Sequence, residues 1–368
     1  MKLKNLYLLV VAALLASCGR QLLVTVQNPS DLKREKETVE VPWSTIQAKY
    51  PSATSVGITI TTPSGEVTAH QLVAGDSSNA DLLIFQVDVA PHSQTTYTIR
   101  KQASPTFAPT VFGRTVPERM DDFAWENNRI AFRVYGPALE ATGEISNGID
   151  VWVKRTDSLI INKWYKSADY HTDHGDGLDC YKVGRTLGAG AMAPWIDGKL
   201  WLGNNYTSAK VLANGPIRVS VLLTYKPFEV SGEQVQESRL ITLDANSNLS
   251  CIRELYSNNM VGKQVAAGII SRDGGEVKGD DALGWLAYWE PINGSNGNTA
   301  LAVVIPRSDV RTLVQQGHHL CTATYTKPFC YYAGASWSKA GFRNSTEWFA
   351  YVDTFAKKLR LPLVVKVR

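Results

Sequence analysis

The richest run of chemically able side chains spans residues 169–185: Asp-Tyr-His-Thr-Asp-His-Gly-Asp-Gly-Leu-Asp-Cys-Tyr-Lys-Val-Gly-Arg. Its polarity and its three glycines read as a surface loop, and loops carried on a rigid scaffold are where site residues gather. Four readings fit it. An acid/base site would take His171 or His174 as base, because imidazole titrates near neutrality, with Tyr181 or Lys182 as acid. A metal loop would draw on Asp173, Asp176 and Asp179 beside the histidines, although the spacing departs from an EF-hand, which wants alternate acids and a distal Glu. A sugar cleft without turnover is the third reading. A loop held only by its own hydrogen bonds is the fourth.

Two further segments carry complementary parts. Residues 117–127 bring Arg119, Asp122, Trp125 and Glu126, and Arg133 follows on the next strand. A guanidinium can grip a carboxylate bidentately and an indole can stack on a sugar ring; a solvated loop of local ion pairs is the plain alternative. Residues 318–339 bring His318, His319, Tyr331, Tyr332, Trp337 and Lys339, with the two histidines just past Gly317 and expected at the surface. An elimination beside a carboxylate needs a base, a cation for the developing charge and an acid for the leaving oxygen. Arg119 or Arg185 would be that cation. The three segments are therefore expected to line one cleft, with His171, His174, Tyr181 and Lys182 as catalytic groups. Arg119, Asp122, Trp125, Glu126, Arg133, Arg185, His318, Tyr332 and Trp337 would bind substrate. Competing readings are a glycosidase using carboxylates from Asp121, Asp122, Glu126 and Asp176, and a glycan binder with no turnover. No cofactor is obligatory for the elimination, while a carboxylate-neutralising Ca²⁺ is compatible with the acidic run. No GxSxG, P-loop or GxGxxG after a strand is present.

The elements that must hold these groups are strands. Short strand patterns at 22–26, 39–41, 55–60, 71–73, 82–87 and 95–99, separated by turn residues, predict a small N-terminal β-sandwich at 19–104. Pro105 and Pro109 mark a linker. Longer patterns at 129–135, 148–154, 217–225, 237–243, 251–256, 300–305 and 322–329 predict a large antiparallel supersandwich at 105–368. The segment 347–358 reads as strand or helix, and 158–165 as a short helix.

Composition narrows the partners. The formal charge is +4, which is no field for gathering nucleic acid. Ten Trp and fifteen Tyr are enough to fill sheet cores and still leave rings for an oligosaccharide. Lys2 and Lys4 precede an uncharged apolar run at 6–15 that is too short to span a bilayer, which needs about 20 residues. That run ends in Leu15-Ala16-Ser17-Cys18-Gly19, which resembles the bacterial lipobox. The expectation is a signal peptide at 1–18, a lipid on Cys18, and an exported lipoprotein held at the outer membrane facing the periplasm. Export permits disulfides, and Cys321 with Cys330 has hairpin-like spacing; two buried free thiols are the equal alternative.

Glu118-Arg119-Met120-Asp121-Asp122-Phe123-Ala124-Trp125-Glu126-Asn127, the run 130–139, Gly148-Ile149-Asp150-Val151-Trp152-Val153-Lys154-Arg155, the run 174–184 and Leu187-Gly188-Ala189-Gly190 resemble the successive motifs of one family. It is a domain-of-unknown-function family of exported proteins from polysaccharide-degrading bacteria. The resemblance covers nearly all of 22–368. It implies an N-terminal β-sandwich before a galactose-mutarotase-like supersandwich, and dehydratase or lyase processing of uronate oligosaccharides such as those from ulvan. It assigns no catalytic roles, since similar sandwiches host several chemistries.

Overall fold

The structure, a computed structural model, describes residues 21–75, 81–167 and 169–368. The leader and Cys18 lie outside the described residues. In the strand Gln21–Gln27 burial alternates residue by residue, as expected when one face of a strand meets a core. Its sheet runs in the order Val364–Val367, Gln21–Gln27, Gln94–Lys101, Ile58–Thr61, Val67–Thr68, and a three-stranded sheet of Arg34–Pro42, Leu82–Val89 and His70–Val73 completes the small sandwich. Val24, Val41, Ile58, Phe85 and Ile99 fill it. The last strand of the chain closes this sandwich: Val367 pairs with Val24 and Val364 with Gln27. Residues 364–367 therefore belong with the small sandwich and not, as expected, with the large domain.

The strands Gln94–Lys101 and Val111–Val116 lie in different sheets. Beyond them stands an antiparallel eight-stranded sheet, ordered Tyr206–Gly215, Arg218–Tyr225, Glu237–Asp244, Leu249–Tyr256, Phe329–Trp337, Thr299–Val304, Trp285–Trp289, Glu276–Asp280. Two five-stranded sheets face it. One runs Gly177–Leu178, Asp150–Lys154, Ile130–Val134, Asp122–Asn127, Val111–Val116; the other is built around Ala189–Ile196, Gln264–Ile270 and His318–Thr324. Val151, Phe132, Met192, Val221, Ile252 and Leu301 share the core between them. This is the all-β architecture expected, a small sandwich followed by a large supersandwich.

The ambiguous segment near 350 is a helix, Ser345–Arg360. Its cap explains the choice: the Asn344 side chain accepts from the Glu347 amide at 3.0 Å, while Glu347 accepts from the Arg343 amide at 2.9 Å. Trp348, Val352 and Ala356 then fall on one face and pack on Trp285, Trp289 and Val304 of the large sheet. The proposed Cys321–Cys330 pair is overturned. Cys321 is buried and Cys330 exposed, all four described cysteines are free, and the two strands lie in opposing sheets instead of one hairpin.

Candidate functional site

Cross-strand register assembles the site on one face of the sheet containing Asp122–Asn127. Arg133 stands opposite Asp150 on one neighbour and Ala124 on the other, and opposed residues in an antiparallel pair share a face. Asp122, Arg133 and Asp150 therefore point the same way, as do Trp152 and Glu126. Residues 155–167 and 169–171 cover this face, with Ile160, Ile161 and Trp164 packed on Trp152 and Val116. Glu126 pins that segment. Its carboxylate accepts from the Ile160 and Ile161 amides at 2.9 and 2.8 Å and from Lys154 at 2.7 Å. Folding the segment over brings Tyr165, Tyr170, His171 and Asp179 to the cluster.

Arg133 is its centre. Nε donates to Asp150 at 2.8 Å and Nη2 to Asp179 at 2.9 Å, while Asp122 lies 3.8 Å away. Trp152 and Tyr135 flank the guanidinium at 5.2 and 5.4 Å from their ring centres. Nη1 closes no hydrogen bond of good geometry; its neighbour, the Tyr165 hydroxyl, closes none either. The three carboxylates are at most 2% exposed, so one guanidinium faces three groups that burial would rather keep neutral. Burial raises Asp122 to about 7 against the pull of Arg133 and Arg119. Asp179 rises to about 8, through burial and then the nearby Asp150 charge. Asp150 is raised too, by burial against the pull of Arg133. Burial alone would depress Arg133, but Asp150 and Asp179 outweigh it and hold the cation firmly charged. The carboxylates titrate as a set around Arg133, with burial opposing their ionisation and the guanidinium favouring it.

Above this charge sits an open rim. Arg119 is half-buried and donates from Nε to the Tyr170 hydroxyl at 3.2 Å. His171 leaves 58% of its side chain exposed, lies tilted against Tyr170 with ring centres 4.4 Å apart, and is 3.6 Å from the Asp179 carboxylate. Its Nδ1 is 2.9 Å from the Asp179 carbonyl. A carbonyl only accepts, so Nδ1 carries the proton, and the neutral ring keeps a lone pair on Nε2. The turn that presents Arg119 is strained: Met120 and Asp121 have φ of 52° and 58°, conformations that cost non-glycine residues about 1–3 kcal/mol each and cluster at functional sites. Tyr206 donates its hydroxyl to the Asp121 carbonyl. Gly136 packs so closely that a Cβ there would sit 1.9 Å from the same oxygen.

The raised carboxyls make a pH prediction with a definite sign. In the unfolded chain Asp titrates near 3.9, so between about pH 4 and pH 8 the native state binds more protons than the unfolded one. Their contribution is complete below the unfolded value and is lost as pH rises through 7 to 8. Thermal unfolding should show stability falling from about pH 5 to about pH 9 by on the order of a few kcal/mol, with a flatter slope in Asp122→Asn. A wild-type stability that climbs across this window contradicts the assignment.

Residues 26–365 match the family described as Domain of unknown function (DUF4861). The chain belongs to this family. "Uncharacterized protein P7" of Formosa agariphila is 31% identical across 99% of this chain and 98% of its own. Two solved structures share the fold at 10% identity, each with a TM-score of 0.53 over 95% of this chain. They are a protein in the glycosyl hydrolase family 38 from Enterococcus faecalis and an alpha-mannosidase from Enterococcus faecalis V583. This chain spans about half their length, 47% and 46%.

The family motifs at 118–127, 130–139, 148–155 and 174–184 meet around Arg133, but several expected roles are corrected. Trp125 is 1% exposed, stacks on Phe132 in the core and donates to Ser250, so no sugar reaches it. Glu126 is fully buried with Lys154 and anchors the covering segment. Trp337 is 1% exposed and donates to the Asn296 carbonyl. His318 and His319 are buried, not at the surface. The strand begins at His318 itself, whose Nδ1 meets the Gln316 carbonyl while Nε2 accepts from the Leu187 amide. Tyr181 lies in the core beneath Arg272, and Lys182 points to solvent. Arg185 is spent on the carbonyls of Leu202 and Gly203. His174 is exposed and pairs with Asp169. Tyr332 lies on the opposite face of the large sheet, against Phe355. Asp173, Asp176 and Asp179 each face a different cation, Arg155, Lys163 and Arg133. Among the described residues no three His, Cys, Asp or Glu side chains are grouped to hold a metal ion.

Asp150, Tyr165 and Tyr170 are members of the site that residue type and spacing alone do not single out. The available signal was Asp150-Val-Trp-Val-Lys: two charges at the ends of a strand whose same-face centre is Trp152, a pattern that calls for buried partners.

Proposed function

We propose that the chain is a carbohydrate-active enzyme that processes uronate-containing oligosaccharides by proton abstraction and elimination. The observation that carries this reading is an open rim on which Arg119 and His171 both contact Tyr170, set above the buried carboxyls that surround Arg133. His171 Nε2 takes the proton α to the substrate carboxylate, and the Asp179 carbonyl, 2.9 Å from Nδ1, accepts from the imidazolium that forms. Arg119 pairs with the substrate carboxylate as charge moves onto it. The bond from the β carbon to its oxygen breaks, and the Tyr170 hydroxyl protonates the departing oxygen. His171 then returns its proton to Tyr170, so the net change is loss of water or of a sugar alcohol and gain of a carbon–carbon double bond. The solved glycosidases of like fold support a carbohydrate as the substrate class.

Hydrolysis by paired carboxylates fits less well. It needs two reachable carboxyl groups flanking the bond, about 5–9.5 Å apart, whereas Asp122, Asp150 and Asp179 crowd one guanidinium below the surface. Mass spectrometry of an unsaturated uronate oligosaccharide incubated with the protein separates the outcomes. Loss of water or chain scission with a new double bond supports elimination. New reducing ends without unsaturation mean hydrolysis, and an unchanged substrate removes the enzyme reading.

From the Leu15–Cys18 box after a short apolar run we also propose that the protein is held by a lipid on Cys18 at the outer membrane, facing the periplasm. Cys18→Ser should move the protein from the detergent-extracted membrane fraction to the soluble fraction or leave an uncleaved precursor. Wild-type protein that washes off membranes without detergent contradicts it.

A further inference from the structure

We infer that the protein carries a second glycan site, for an uncharged stretch of chain, in the groove between its two domains. The inference rests on the carbohydrate part of the proposed function and not on the elimination. The groove encloses about 760 Å³, within the roughly 300–1,000 Å³ of pockets that bury a small ligand. Its walls come from three places: the strand Arg34–Pro42 of the small sandwich, the outer face of the eight-stranded sheet, and the helix Ser345–Arg360. It is already formed, because Arg218 joins Glu40 on one domain to Asp244 on the other, each at 2.6 Å, and the Gln86 amide donates to the Ala245 carbonyl at 2.8 Å.

Its lining selects the ligand. Tyr332 from the sheet and Tyr351 and Phe355 from the helix are half-buried rings where these two walls meet, with Tyr332 and Phe355 packed edge to face at 5.2 Å. Four acids and four bases line the groove, so its formal charge cancels. A polyuronate or a polycation gains no field there. Thr38, Thr242, Asn246 and Ser247 add uncharged donors and acceptors. Aromatic platforms beside neutral hydrogen-bonding groups suit a ring with an apolar face and a rim of hydroxyls, which is a neutral sugar. The Arg133 cluster lies on another sheet, across the large core, so a chain held in the groove leaves the acidic site free.

The test is calorimetric and NMR titration of the mature protein with cellotetraose, xylotetraose and mannotetraose, and with tetragalacturonate for comparison. At least one neutral tetrasaccharide should bind at millimolar concentration or better. Thr354→Trp, which fills the groove from the helix side, and Phe355→Leu, which removes a ring, should each weaken that binding by about tenfold or more. Arg119→Ala should leave it unchanged. Circular dichroism checks folding, and if Phe355→Leu unfolds, Thr354→Trp decides alone. No binding of any neutral tetrasaccharide, or binding untouched by Thr354→Trp, overturns the inference. Turnover of uronate oligosaccharides, measured in the same variants, should persist in Thr354→Trp. Absence of turnover in the wild type would remove the elimination while leaving the groove result standing.

Discussion

Arg119→Ala should lower kcat on a uronate oligosaccharide by about 10²–10³-fold, the loss typical when one preorganised donor to a developing charge is removed. Arg119 stands at the rim, where it donates to the Tyr170 hydroxyl at 3.2 Å and adds its charge to that of Arg133 beside Asp122. Its removal therefore takes away a substrate contact without opening the core, and thermal stability should hold. Arg119→Lys should recover only part of the rate, because an ammonium cannot reproduce the planar fork that meets both carboxylate oxygens. Steady-state kinetics with a uronate and with its reduced, neutral counterpart make the comparison. A variant that keeps wild-type kcat on the uronate removes Arg119 from the mechanism.

Arg133→Met should be the most damaging single change to stability, by about 3–5 kcal/mol, because breaking a buried ion group leaves its partners uncompensated. Asp122, Asp150 and Asp179 would then share a buried space with no cation among them. In a domain of this size the melting temperature should fall by roughly 10 °C. Adding Asp150→Asn should restore part of the loss by removing one unpaired charge, and a double-mutant cycle reads the coupling. A single variant as stable as the wild type would mean that the carboxyls are neutral without Arg133 and that the charge account of the cluster is wrong.

Much of the fold was legible because alternation survives wherever one strand face meets a core. The strand Glu237–Asp244 alternates buried and half-buried residues throughout. The strand Asp122–Asn127 hides its role because every residue in it is buried. Its polar members look like surface groups until Lys154 and Arg133 are known to lie on the same face. Trp125 and Glu126 accordingly resemble cleft residues when only the sequence is considered. The helix near 350 was ambiguous because a spacing of four, Trp348, Val352, Ala356, satisfies a strand period as well as a helical one; only the Asn344 cap separates them. No local pattern announces that Val364–Val367 returns to pair with Gln21–Gln27, since that pairing is set by the whole intervening fold. The three segments of the expected cleft met only in part. Arg119, His171 and Asp179 converge on the Arg133 cluster, while His318, His319, Tyr331 and Trp337 lie in the core and Tyr332 across the sheet.

The central claim, abstraction of the proton α to the carboxylate, is tested most directly with a uronate oligosaccharide deuterated at that carbon. Mass spectrometry of the product should show that the deuterium has left together with the departing oxygen group, and turnover should fall strongly in His171→Ala but not in His174→Ala. A product that retains the deuterium at that carbon would contradict the account.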